Sequence, residues 1–160
     1  MSMLYLGEMY RKGDGTKKDL VQAESWFQRA ADKGSNLAKY HLGKVYLETG
    51  RFIEAKGAFE IGVAEGFAPA IYVLGWMYSG HGFRDMRLAR DLLEQASSLG
   101  HLLAKKSLAC LLLSGRFGPL QFLRGIWIAL DIIKRSLKIA FTTPSGDIRE
   151  LTSKITGQPQ

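Results

Sequence analysis

Residues 20–34, LVQAESWFQRAADKG, and residues 38–50, AKYHLGKVYLETG, carry the reading that decides the fold. In the first, Ala23 is followed by bulk at Trp26 and Phe27, and eleven residues after Ala23 stands Gly34. In the second, Leu42-Gly43 is followed by Tyr46, three residues after the glycine. Apolar residues three and four apart, in runs closed by glycine, read as two amphipathic helices joined by a short turn.

The same marks recur along the chain, and internal repetition decides architecture before any local reading. Leu6-Gly7, Leu42-Gly43, Leu74-Gly75 and Leu108-Ala109 are followed three residues after the small residue by Tyr10, Tyr46, Tyr78 and Leu112. Further on stand Ala23, Ala55, Ala89 and Ala129, and eleven residues beyond each come Gly34, Gly66, Gly100 and Ala140. The spacing from first to second mark varies from twelve to twenty residues, so the intervening turn absorbs the differences. First helices are expected near 2–12, 37–49, 69–79 and 103–114, and second helices near 19–33, 52–65, 85–99 and 121–141. Asp19 and Asp85 stand where a helix-starting carboxylate accepts exposed N–H groups.

This pattern predicts an all-α solenoid of about four antiparallel helix-pair repeats, near 2–36, 37–68, 69–102 and 103–142. Residues 143–160 are expected as a cap or flexible tail, with Asp147–Ile155 folding back over the end. The small residues sit where antiparallel helices approach most closely. Gly7, Gly43, Gly75 and Ala109 take that place in first helices, and Ala23, Ala55, Ala89 and Ala129 in second helices. Trp26/Phe27, Phe59, Leu92/Leu93 and Ile132/Ile133 then supply the bulk. One helix pair cannot bury its apolar faces alone, so neighbouring pairs stack.

The two opening segments resemble Sel1-like repeats, a branch of the tetratricopeptide-repeat superfamily. So do Ala70–Gly80 (AIYVLGWMYSG) and Ala89–His101 (ARDLLEQASSLGH). The resemblance covers residues 2–115, and 116–142 loosely. It implies a right-handed superhelix acting as a non-catalytic adaptor or scaffold for a protein partner. The second unit lacks the glycine-rich insert and is closer to a plain tetratricopeptide repeat. The fourth departs at Ala109 and Leu112. The family also has a cysteine-rich secreted branch, which the lone Cys110 does not match.

Composition narrows the chemistry. Only one cysteine is present, so no disulfide framework can form within one chain. The opening residues MSMLYLGE show no signal peptide, which points to a cytoplasmic location. His101 is read as a helix cap, His81 as an exposed turn residue, and His41 has no metal-spaced partner beside it. Gly13-x-Gly15 and Gly80-x-Gly82 follow no strand and complete no phosphate-binding loop. No catalytic set, metal site or cofactor is expected. The net charge is +7, and residues 101–160 hold 9 Lys/Arg against 3 Asp/Glu. That basic end suggests an acidic partner, a membrane surface or nucleic acid, and of these nucleic acid is not expected because no base-reading aromatics stand at repeat positions.

First helices line the concave face in the superfamily this chain resembles. The positions facing the groove are then Leu4, Glu8, Arg11; Tyr40, Lys44, Leu47; Tyr72, Trp76, Ser79; and Lys106, Cys110, Leu113. Tyr40, Lys44, Tyr72, Trp76 and Lys106 form the candidate binding set, because Tyr and Trp anchor partners and lysines pair with carboxylates. The alternative is that Tyr72 and Trp76 pack on adjacent helices. Residues 120–141 approach bilayer length, but Arg124, Asp131, Lys134, Arg135 and Lys138 make insertion costly. This segment reads as the terminal helix, as a surface for a partner or for self-association, or as a helix docked on a membrane surface. Trp127, Arg124, Arg135 and Lys138 are its candidate interface residues.

Overall fold

The structure is a computed structural model that describes residues 2–80 and 83–142, and for 140–142 the backbone alone. The expectations for His81, for the Ala140 side chain and for 143–160 fall outside these residues. The described elements are α1 (Met3–Lys12), α2 (Leu20–Asp32), α3 (Asn36–Glu48), α4 (Phe52–Ala64), α5 (Ala68–Tyr78), α6 (Met86–Ser98), α7 (Leu102–Leu113) and α8 (Pro119–Thr142). No strand occurs among the described residues. A single isolated bridge joins Ser79 and Arg84 in the turn after α5. The fold is an all-α helical repeat, with each helix where the periodicity places it.

The caps explain the boundaries. Asp19 Oδ1 accepts from the Val21 and Gln22 amides at 2.9 and 3.0 Å, and Asp85 Oδ1 from Arg87 and Leu88 at 3.1 Å each. His101 Nδ1 accepts from the Ala104 amide at 3.2 Å, so the histidine caps α7. Burial lowers the His101 pKa and favours the neutral ring that can accept. Gly34, Gly66 and Gly100 all have positive φ, between 70° and 86°, the left-handed conformation that ends α2, α4 and α6.

The chain divides into two compact units, Met1–Leu74 and Gly75–Gln160, with the division inside α5. In the first, α1 packs on α2, α2 on α3 and α3 on α4. Its core holds Ala23, Phe27, Leu42 and Val45, flanked by Leu4, Tyr10, Leu20, Ala31 and Tyr46. In the second, α6 packs on α7 and α7 on α8. Leu93, Ala96, Ala104, Leu108 and Leu112 are buried there.

The small residues act through a pairing of glycine with bulk. A Cβ on Gly7 would lie 2.7 Å from Phe27 Cδ1, and one on Gly43 2.7 Å from Phe59 Cε1. Each glycine on a first helix receives the ring that stands four residues after the alanine of the second. At Gly75 the opposing residues are Leu92 and Leu93, and a Cβ would lie 3.2 Å from each.

The fourth pair departs from the expected register. Ala129 is only half-buried, whereas Gly125 is buried, and a Cβ there would lie 2.9 Å from Leu112 Cβ. The close approach is therefore made by Gly125 rather than Ala129. The bulk beyond it comes from Ile128, which is buried, and half-buried Ile132, while Ile133 points away and is 53% exposed. The physical reason is an exchange of roles. The first helix now carries a Cβ at Ala109, where the other pairs have glycine, and the second helix supplies the glycine instead, at Gly125.

Candidate functional site

In the first unit the candidate residues sit within a charged cluster. Glu8, one residue after Gly7, and Lys44, one residue after Gly43, occupy equivalent repeat positions on α1 and α3. Their N and O atoms lie 3.5 Å apart. Arg11 pairs with Glu8 at 2.8 Å and with Glu48, and Lys18 reaches Glu48 at 2.9 Å. His41 Nδ1 lies 2.7 Å from Glu8 Oε1, and its ring stacks on Phe27 at 5.0 Å and 16°.

The electrostatics follow from crowding. Burial would raise the Glu8 pKa, but His41, Arg11 and Lys44 outweigh it and hold the carboxyl far below the usual range. Burial likewise opposes ionisation of Glu48, which Lys18 and Arg11 overcome. Lys44 is lowered by its own burial and by Arg11, with Glu8 opposing.

The aromatic residues differ in surroundings. Tyr40 is half-buried and packs edge-on to Phe59 and Phe67 with centroids 5.8 and 5.3 Å away; Lys44 Nζ lies 5.6 Å from its ring centre. Burial raises the Tyr40 hydroxyl pKa. Tyr72 is half-buried as well and belongs to the first unit.

The second unit holds a pocket. Trp76 and Ser79 at the end of α5, Met86 and Leu93 on α6, Lys106, Cys110 and Leu111 on α7, and Arg116 in the following turn enclose about 450 Å³. The structure thus brings Trp76 and Lys106 together in one lining and adds Arg116. Neither Lys106 nor Arg116 has an acidic residue within 4.0 Å among the described residues, and no Asp or Glu lines the pocket. Sequence reasoning missed Arg116 because it lies in a turn, outside the helix stripe. It also missed the Glu8–Lys44 pairing, although opposite charges at equivalent repeat positions were a visible signal.

On α8, Arg124 pairs with Glu94 of α6 at 2.8 Å, and Asp131 pairs with Lys105 of α7 and with Arg135 at 3.1 Å. Trp127 is 68% exposed. No helix among the described residues is long and apolar enough to cross a membrane. No group of three or more His, Cys, Asp or Glu suited to a metal ion occurs among them.

A family model described as Sel1 repeat matches residues 1–35 and 68–101. The intervening unit, which lacks the glycine-rich insert, falls between the two matches. A putative sel1-like repeat-containing protein of Acanthamoeba polyphaga mimivirus is 27% identical over 78 residues, covering 49% of this chain and 15% of the relative. The Sel1 repeat protein from Oxalobacter formigenes superposes with a TM-score of 0.67 at 23% identity, over 80% of this chain and 55% of that one. A protective antigen of uropathogenic Escherichia coli with an SLR fold gives 0.66 at 20% identity, over 81% of this chain and 30% of that one. The chain therefore spans a minor part of its curated relative and about half or less of these solved proteins.

Proposed function

We propose that this chain, a member of the Sel1-like repeat family, is a non-catalytic adaptor that holds an acidic segment of a protein partner against its first-helix faces. Sel1-like repeats generally mediate protein–protein interaction, and that coarser role comes with the family. The acidic segment is our reading of this chain. One observation carries it: the second-unit pocket lined by Trp76, Lys106 and Arg116 holds two cations without acidic partners and no acidic residue.

The contrast with the first unit supports the choice. Lys44 and Arg11 already share Glu8 and Glu48, so their charge is largely spent within the protein. The cations beside Trp76 are available to an incoming carboxylate. An indole with two basic groups suits a segment that alternates apolar and acidic side chains. Such pairing at a partly exposed surface is screened by salt.

The test is capture of protein partners from lysate by wild type, by Lys106→Glu with Arg116→Glu, and by Asp32→Ala as a remote control. Salt-sensitive capture lost only in the double variant supports the reading. Equal capture by all three moves binding away from this pocket.

A further inference from the structure

A second cavity lies where the C-terminal half of α8 crosses the start of α7. Leu102, Lys105 and Lys106 of α7 and Ile132, Ser136 and Ile139 of α8 line about 190 Å³. Leu102, Ile132 and Ile139 are only half-buried there.

In the second pair the chain that follows covers the same place. Gly66 turns the chain with φ 70°, and Ala70 of α5 then lies against Gly62, where a Cβ would be 2.5 Å from Ala70 Cβ. Gly34 and Gly100 make the same turn after α2 and α6. The fourth pair departs twice from this scheme. Counted from Gly125, Ser136 stands where the turn glycines stand, eleven residues after Ala23, Ala55 and Ala89. Ile132 stands where Ala30, Gly62 and Ala96 stand, seven residues after the same alanines. Without the glycine, α8 runs on to Thr142. With isoleucine in place of a small residue, the next element is held farther off, and the groove between Leu102 and Ile132 stays open.

We propose that residues 147–155 of this chain fill the groove as a short helix antiparallel to α8. Thr143-Pro144-Ser145-Gly146 follows α8 directly and carries the breakers of a reversal. Asp147, with Glu150 three residues on, is the mark of a helix start. Ile148, Leu151 and Ile155 then form one apolar stripe. Length fits the site in two ways. Residues 143–147 can span up to about 17 Å, more than the roughly 8–10 Å between packed helices. Ile148 to Ile155 covers seven residues, as Ile132 to Ile139 does, so both stripes run about 10 Å as helix. The antiparallel course sets Ile148 beside Ile139, Leu151 beside Ser136 and Ile155 beside Ile132. A helix this short is marginal alone in water, so its order depends on the groove.

The experiment uses the full chain with Cys110→Ser, which removes its only thiol. Under mild oxidation, Leu151→Cys should form an intramolecular disulfide with Ser136→Cys, and none with Leu120→Cys at the other end of α8. Arg149 and Lys154 supply trypsin sites inside the segment. Cleavage there should be at least about tenfold slower in the wild type than in Ile148→Asp with Leu151→Asp, because cutting follows the open fraction. Equal cleavage of the two proteins overturns the proposal. So does equal linking to Ser136→Cys and Leu120→Cys, which would mark a segment without a fixed seat. Disulfides formed only between chains overturn it as well, since the groove would then hold the segment of a second copy. Should the double variant unfold, the cross-link decides alone. None of these readouts involves partner capture by the second-unit pocket.

Discussion

The ring of Phe59 occupies the space that a side chain on Gly43 would need: a Cβ there would lie 2.7 Å from both Cε1 and Cζ. Phe59 is fully buried and cannot swing away. The glycine is thus required by packing, although it lies mid-helix, where it costs up to about 1 kcal/mol in helix propensity relative to alanine.

Substitution should separate these two effects. Gly43→Ala is expected to destabilise by about 1–3 kcal/mol through overpacking, despite the propensity gain. Gly75→Ala should cost less, because its nearest contacts are at 3.2 Å. Gly57, inside α4 with nothing within 4 Å of its Cβ position, should instead gain about 0.5–1 kcal/mol as alanine. Urea melts of the three variants decide it, and a Gly43→Ala protein as stable as Gly57→Ala would refute the pairing of glycine with ring.

The register of the last pair is tested separately. Gly125→Leu should destabilise strongly, since its Cβ already meets Leu112 Cβ at 2.9 Å and the Leu113 backbone nitrogen at 3.1 Å. Ala129→Leu should be much milder, because Ala129 is half-buried. Ala89→Leu, at a fully buried position, is the reference for a damaging change. The reverse order of Gly125 and Ala129 would restore the alignment on Ala129.

Acid should expose the Glu8 cluster. The Glu8 pKa is depressed in the folded protein, so its stabilising effect is complete above the unfolded value of about 4.3 and is lost as pH falls through the lower folded value. The melting-temperature difference between wild type and Glu8→Gln should be constant near neutral pH and shrink below about pH 4. A difference independent of pH would show that Glu8 contributes packing alone.

Lys44→Glu should lower the melting temperature, because it places a second carboxylate where Lys44 now lies 3.5 Å from Glu8. Lys106→Glu should leave the melting temperature nearly unchanged, since Lys106 has no acidic partner among the described residues. In the binding assay the order reverses: loss at Lys106 should be salt-dependent and direct. Trp76→Ala, if the indole anchors the partner, should weaken binding about thirty-fold, roughly 2 kcal/mol. A loss of several degrees of melting temperature on Trp76→Ala would instead mark it as a packing residue.

The repeat was legible in the amino-acid sequence because helix periodicity, glycine caps and acidic N-caps are local. Asp19, Asp85 and Gly34 act on backbone within four residues, so their roles follow from order along the chain. The close-approach glycines Gly7, Gly43 and Gly75 were equally visible, since three units repeat them. Which residue met which was another matter. Gly125 replaced Ala129 because Leu112 faces it from another helix, and spacing within α8 alone carries no record of that neighbour. Lys44 and Lys106 look alike in sequence, each a lysine on the stripe of a first helix. Only the tertiary structure places Glu8 beside one and leaves the other in a pocket with Trp76 and Arg116, because charge neutralisation depends on distance through space and not on position along the chain.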